Sequence, residues 1–138
     1  MIALTRRYQF SAAHVLRHPS FSEAENHRVY GRCANPRGHG HNYRVEVTVT
    51  GPVDEGTGRI IAPELLDQIF EERVGTRFAH RLLNDDAIFS RLVPTAENIA
   101  TVIHAGLSGS VAERSSARVL AVRVVETSRN SCTYGELP

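Results

Sequence analysis

The feature that most limits the fold of this 138-residue chain is a strict alternation of apolar and polar side chains over residues 39–50. Alternate positions are apolar, namely Tyr43, Val45, Val47 and Val49. The positions between them are polar, namely Asn42, Arg44, Glu46, Thr48 and Thr50. Because successive side chains of a strand point to opposite faces, the pattern predicts a strand with one buried face, as in an antiparallel sheet covered on one side.

Other segments predict the remaining strands. Residues 1–14 alternate in the same way, with Arg6 interrupting the apolar positions, and a long strand is expected at about 117–127. A short strand is expected at 131–134, and Ile60–Ile61 is interpreted as a short strand end. Residues 15–38 are rich in proline and glycine signals and are expected to be irregular.

Two helices are expected between the strands. Pro63 begins the first, and Gly75 is predicted to end it. Residues 76–93 are interpreted as a loop with a possible short helix, and Thr95 is predicted to cap the N-terminus of the second helix. The order strand, strand, helix, helix, strand, strand predicts an α+β fold, with a four-stranded antiparallel sheet and both helices on one face.

Composition limits the class of protein. The chain is 41% apolar and 22% charged, as is usual for a globular protein, and its length suits one domain over residues 1–138. Sixteen basic and fifteen acidic residues give a net charge of +1, which argues against binding to nucleic acid or to a membrane surface. The first ten residues lack the apolar core of a signal peptide, and two cysteines are too few for a disulfide framework. A cytoplasmic location is therefore expected.

Three histidines share the apolar positions of two predicted strands. His39 and His41 lie on the face of Tyr43, and His14 extends the apolar positions of the first strand. Burying three imidazoles without hydrogen-bond partners is costly, and a shared cation would remove that cost. Three protein ligands with a fourth position open is the pattern of a catalytic zinc site. The alternatives are ordinary polar residues at strand ends and, less well matched in ligand spacing, a structural zinc site.

Further residues are candidates for a chemical role, and each has more than one interpretation. Cys33 is interpreted as a fourth zinc ligand, a general acid/base or an inert residue. Glu126 follows the apolar positions of the last long strand, where it would anchor an N–H-rich ring such as an amino-pyrimidine or pair with an arginine. Thr95 and Glu97 suit the first turn of a helix, and His80 taken alone suits the surface.

Several segments together resemble the 6-pyruvoyl-tetrahydropterin and 6-carboxy-tetrahydropterin synthase family. They are FSAAH (10–14), CANPRGHGHNY (33–43), PTAEN (94–98), VVET (124–127) and YGE (134–136), and they span nearly the whole chain. A cysteine followed by five residues and then HGH is specific to this family. Its spacing here resembles the pyruvoyl-forming branch.

The resemblance implies the tunnelling fold, in which sheets from several subunits join into a barrel, and a homohexamer with active sites at subunit interfaces. It implies a zinc-dependent lyase that eliminates triphosphate from a small pterin, 7,8-dihydroneopterin triphosphate. It also implies roles by position: zinc ligands His14, His39 and His41, catalytic residues Cys33 and His80, and pterin contacts Glu126, Thr95 and Glu97.

One position departs from the family's pattern. The family has an aspartate immediately before the catalytic histidine, whereas Ala79 precedes His80 here. Alanine cannot orient an imidazole or stabilise its charge. The alternative function is therefore a pterin-binding homologue with weak, altered or no lyase activity, unless Asp85 or Asp86 takes the aspartate's place.

A cupin-type metal barrel is a further alternative, because His39, His41 and Glu46 imitate its ligand set. The alternation opposes this interpretation, since it places Glu46 on the face opposite the two histidines. Two central helices also do not suit a jelly roll.

Overall fold

The computed structural model describes residues 1–137. Its strands are β1 (Ala3–His14), β2 (His39–Thr50), β3 (Arg118–Thr127) and β4 (Asn130–Gly135). Its α-helices are α1 (Glu23–Tyr30), α2 (Pro63–Phe70), α3 (Thr76–Phe78) and α4 (Ala96–Arg114). Each strand pairs antiparallel with the next, in the order β1-β2-β3-β4. The predicted four-stranded antiparallel sheet is confirmed.

The core lies between one face of the sheet and the helices. The apolar positions of β2 are fully buried, as the alternation predicts. They join one hydrophobic cluster with Leu66 and Ile69 of α2 and with Ile99 and Ile103 of α4. Both long helices therefore cover the same face of the sheet and leave the other face polar.

Arg6 interrupts the apolar positions of β1 because it pairs with a helix on that face. Its guanidinium donates two hydrogen bonds to the carboxylate of Asp67 in α2. The hydroxyl of Tyr8 donates to the same carboxylate at 2.9 Å, and the Tyr8 ring stacks on Phe70 with centroids 3.9 Å apart. This cluster fixes α2 on the outer strand of the sheet.

The expectation that residues 15–38 are irregular is wrong for α1. Ser22 caps that helix, since its Oγ accepts the backbone N–H of Glu25 at 3.1 Å. Only Asn26 of the helix is buried. A short helix that buries one polar residue has no apolar stripe, so hydrophobic periodicity could not reveal it.

Two further expectations between β2 and α4 are wrong. Gly75 does not end the helix that begins at Pro63, because it has a helical φ of −57° and a π-helical turn at Glu71–Gly75 carries the chain into α3. Ile60 and Ile61 form no strand, and Ile61 is instead buried in the core. Within residues 1–137, no helix combines the length and apolar character required to cross a bilayer.

Candidate metal centre

The pairing of β1 with β2 brings the three histidines to one end of the sheet. The register places His14 opposite His39 and Ala12 opposite His41, so the three imidazoles lie at adjacent positions on the inner face. One ligating nitrogen from each ring lies within 4.8 Å of the others. The convergence expected from the alternation is therefore observed.

The hydrogen bonds of the cluster leave nitrogen atoms available to a cation. Nδ1 of His14 lies 2.8 Å from the carbonyl oxygen of Pro94, which only accepts, so Nδ1 carries the hydrogen. Nε2 of His14 is then a bare lone pair, and it lies 3.1 Å from Nε2 of His39. Nε2 of His41 is buried with no hydrogen-bond partner among the described residues. Imidazole nitrogens with free lone pairs are suitable ligands for a divalent cation such as zinc.

Burial favours the neutral form of two imidazoles of the cluster, those of His14 and His41. The pKa of His14 is lowered to about 4, chiefly by burial, with smaller contributions from His39 and His41 and against the hydrogen bond to Pro94, which raises it. Burial, with a smaller contribution from His39, also lowers the pKa of His41. Because the neutral imidazole is the form that binds metal, the site is ready for a cation near neutral pH.

Glu126 lies beside this cluster. Its Oε1 is 3.5 Å from Nε2 of His41, and its side chain is 11% exposed. Burial raises the pKa of Glu126, and the charge of Glu97 adds to that effect. Within residues 1–137, the basic side chain found beside Glu126 is the imidazole of His41 rather than the arginine considered from the sequence. Its carboxylate is therefore available to a ligand with N–H donors.

Cys33 lies near the cluster but outside it. It belongs to a 3₁₀ turn at Gly31–Ala34, and its carbonyl oxygen accepts the N–H of Leu16 at 2.6 Å, two residues after His14. Burial and the charge of Glu126 raise the pKa of its thiol. In the described part of the chain, the side chains close enough to share one ion are the three histidines without Cys33.

His80 lies apart from the three histidines, on the outer edge of β1. Its side chain is exposed, and its backbone N–H donates to the carbonyl of Ser11 at 2.7 Å. With Ser11, Asn42 and also His41 of the cluster, it lines a cleft of about 470 Å³. Its φ of 60° is left-handed, a strained conformation for a residue other than glycine and one that is concentrated at functional sites.

Thr95 and Glu97, which the family resemblance implies as pterin contacts, lie at the start of α4. Thr95 caps the helix as predicted, with its Oγ accepting the N–H of Asn98 at 3.3 Å. Glu97 follows in the same turn and is exposed. Burial raises the pKa of Glu126 and of Cys132, and the carboxylate of Glu97 adds to both effects.

The sequence did not predict two groups that lie beside His14. The carbonyl of Pro94 accepts from His14, and the hydroxyl of Tyr43 lies 3.2 Å from the same Nδ1. Tyr43 shares the face of His41 two residues earlier, so the alternation could have indicated its proximity. A backbone carbonyl carries no signal in the sequence.

A four-stranded antiparallel sheet, helices on one face and three histidines from its first two strands define an α+β domain with a candidate metal centre. Comparison with known proteins then identifies the family. The model for the 6-pyruvoyl tetrahydropterin synthase family matches residues 3–136, and the chain belongs to that family.

Individual relatives agree over nearly the full length. The chain is 38% identical over 132 residues to 6-pyruvoyl tetrahydrobiopterin synthase of Drosophila melanogaster, covering 95% of this chain and 77% of that one. It is 36% identical to the Homo sapiens protein of the same name, covering 95% and 89%. The solved structure of Caenorhabditis elegans 6-pyruvoyl tetrahydropterin synthase superposes with a TM-score of 0.89 at 32% identity, covering 99% and 96%. The family resemblance and the tunnelling fold are confirmed.

Proposed function

We propose that this protein is a zinc-dependent lyase that acts on 7,8-dihydroneopterin triphosphate and eliminates triphosphate. The observation that carries the proposal is the three-histidine cluster, with Glu126 3.5 Å from its His41. Support comes from relatives named 6-pyruvoyl tetrahydrobiopterin synthase that match most of the chain. The spacing from Cys33 to His39 favours the pyruvoyl product over the carboxy product.

The proposed roles follow from the position of each group. His14, His39 and His41 would hold zinc, which when bound supplies a Lewis acid toward side-chain oxygens of the substrate. Glu126 would accept hydrogen bonds from the amino-pyrimidine edge of the pterin, because a buried carboxylate pairs strongly with adjacent N–H donors. Thr95 and Glu97 would contact the same ring from the first turn of α4.

Cys33 and His80 would move protons. Cys33 would act as the acid/base: its thiolate would take a proton from a carbon of the substrate side chain, and the resulting thiol would return that proton to a neighbouring carbon. His80 would pass that proton to and from Cys33. Because His80 is exposed on the outer edge of β1, this role requires a second copy of the chain to bring it to a neighbouring metal centre.

The sheet has the edges that such an assembly requires. β1 is a 12-residue edge strand, and its outer side is paired near its C-terminal end with the segment around Leu82. β4 is the other edge, and most of its residues are exposed. Long open edges pair with other strands unless they are covered. We propose that these edges join copies of the chain into a barrel in a homohexamer.

Ala79 favours a second candidate, a pterin-binding homologue with weak, altered or no lyase activity. The family's aspartate would orient the catalytic histidine, and a methyl group cannot do so. In serine proteases, loss of the comparable carboxylate costs about 10⁴ in rate. A cytoplasmic location, a single domain over residues 1–138 and the absence of nucleic-acid partners stay predictions from the sequence.

One experiment separates the two candidates. Purified protein with one equivalent of zinc is incubated with 7,8-dihydroneopterin triphosphate, and triphosphate release is followed while mass spectrometry identifies the product. Turnover at an ordinary enzyme rate supports the lyase. Saturable binding of the pterin without triphosphate release supports the pterin-binding homologue. If the protein neither binds the pterin nor releases triphosphate, both candidate functions are contradicted. Sedimentation of the same sample tests the hexamer.

A further inference from the structure

Two buried groups without a role in the proposed reaction meet at the outer nitrogen of His14. The carbonyl oxygen of Pro94 lies 2.8 Å from Nδ1, and the hydroxyl of Tyr43 lies 3.2 Å from it. Tyr43 and His14 are both fully buried. The arrangement is therefore shielded from water, where a misplaced hydrogen-bond donor or acceptor is costly.

The chemistry of the three groups allows one placement of the hydrogen. A carbonyl oxygen carries no proton, so the short contact to Pro94 requires that Nδ1 of His14 is the donor. The oxygen of Tyr43, at 3.2 Å, then accepts a second and longer hydrogen bond from the same N–H. Nε2 of His14 is left without hydrogen and faces Nε2 of His39 at 3.1 Å.

We infer that Tyr43 is a positioning residue of the metal centre, whose hydroxyl acts with the Pro94 carbonyl to hold His14 in the Nδ1–H tautomer. The inference rests on the metal site of the proposed function. A histidine whose outer nitrogen is hydrogen-bonded presents the other nitrogen to a metal in a fixed orientation. Tyr43 thus raises the affinity of the site for zinc without contacting the ion.

The same contacts connect the metal centre to the proposed pterin contacts. Pro94 immediately precedes Thr95, the cap of α4, and Glu97 lies in the first turn of that helix. A shift of the α4 N-terminus would therefore move the carbonyl that holds His14.

The test compares Tyr43→Phe with Tyr8→Phe. Each removes one tyrosine hydroxyl from the inner side of the sheet, but that of Tyr8 bonds to Asp67 in α2, away from the histidines. Zinc affinity is measured by competition with a chelator. We expect Tyr43→Phe to weaken zinc binding by about tenfold, the low end for a group that supports a metal ligand, because Pro94 remains. Tyr8→Phe should bind zinc as the wild type does.

A second measurement uses ¹⁵N NMR of the imidazoles in the metal-free protein. We expect His14 to carry its hydrogen on Nδ1 in the wild type and in Tyr8→Phe, and to exchange it faster with water in Tyr43→Phe. An Nε2–H tautomer for His14 in the wild type overturns the inference, even if Tyr43→Phe does not fold. Wild-type zinc affinity in a folded Tyr43→Phe also overturns it.

The outcomes separate this inference from the proposed function. If the wild type binds zinc and releases triphosphate while Tyr43→Phe shows no change in affinity, the inference fails and the lyase stands. If the wild type binds no zinc, the zinc-dependent lyase fails together with the inference.

Discussion

Arg77 and Asp86 form a two-point ion pair, in which Nε and an NH2 nitrogen of the guanidinium donate to the two carboxylate oxygens at 2.7 and 2.8 Å. Asp86 also accepts the backbone N–H of Ile88 at 3.1 Å. Both oxygens of Asp86 are therefore engaged within its own loop. In the described residues, the hydrogen-bond partners of the Asp86 carboxylate are Arg77 and Ile88 rather than His80, and Asp85, the other possible replacement for the family's aspartate, is exposed.

Restoring the missing carboxylate should raise lyase activity. We expect Ala79→Asp to increase kcat by at least about tenfold, because a carboxylate next to His80 would orient the imidazole and stabilise its charge. Initial rates of triphosphate release measure the effect. Ala79→Asn has nearly the same shape without the charge and should give a smaller gain. Equal rates for the wild type and Ala79→Asp would contradict the alignment of this loop with the family's aspartate–histidine segment.

The ion pair of Arg77 and Asp86 should support the loop after α3 in a pH-dependent way. The hydrogen bonds from Arg77 hold the pKa of Asp86 below its usual range, although burial opposes them. Its contribution is therefore complete above the unfolded value of about 3.9 and is lost as pH falls through the lower folded value. Because Arg77 is 36% exposed, we expect Asp86→Asn to reduce the free energy of unfolding by only about 1 kcal/mol at pH 7.

Urea unfolding of Asp86→Asn at pH 7 and pH 3 measures this difference. The loss of unfolding free energy caused by Asp86→Asn should be smaller at pH 3, where the wild-type carboxylate begins to protonate. Asp85→Asn is the matched control, since Asp85 is the exposed neighbour of Asp86 and should change stability little at either pH. A loss that is the same at both pH values would mean that the ion pair does not carry the effect.

Removal of one imidazole should abolish stoichiometric zinc binding. His39→Ala deletes a ring whose Nε2 lies 3.1 Å from that of His14, so two protein ligands would remain. Metal analysis after dialysis against zinc measures the content. His27→Ala removes an exposed histidine of α1 and should retain one zinc per chain. One zinc per chain in His39→Ala would exclude the proposed ligand set.

Substitution of Glu126 should weaken pterin binding and spare the metal. In Glu126→Gln an amide donor replaces one carboxylate oxygen, so one hydrogen bond to the amino-pyrimidine edge becomes a contact between two donors. We expect KM to rise at least about tenfold with unchanged zinc content. Glu136→Gln, in an exposed residue that contacts Arg118 at 3.4 Å, is the control. An unchanged KM in Glu126→Gln would remove Glu126 from the pterin site.

Gly135 should be required at the end of β4. Its φ is +115°, and a Cβ there would lie 2.1 Å from the carbonyl oxygen of Leu120, a backbone atom with little freedom to move. We expect Gly135→Ala to destabilise the protein by about 3 kcal/mol. Gly106→Ala, in α4 with open space around it, should instead stabilise by about 0.5–1 kcal/mol. Thermal unfolding of both variants tests the contrast.

The strands and the histidine cluster could be predicted from the sequence because alternation is a local property. A strand of period two fixes which side chains share a face, so His39 and His41 had to lie with Tyr43 on the buried side. The capping role of Thr95 could be predicted for the same reason, because a helix cap bonds to N–H groups in the first turn of its own helix. α1 was missed because a mostly exposed helix has no apolar stripe to detect.

By itself, the sequence determined the strands, their buried faces and the position of each imidazole on those faces, since each depends on residues within one segment. Only the tertiary structure decided which distant groups meet them: Asp67 with Arg6, Pro94 with His14, and His80 on an outer edge rather than at the cluster. Such contacts join residues up to 80 positions apart. They depend on packing and on the placement of backbone carbonyls, for which the order of amino acids contains no local pattern.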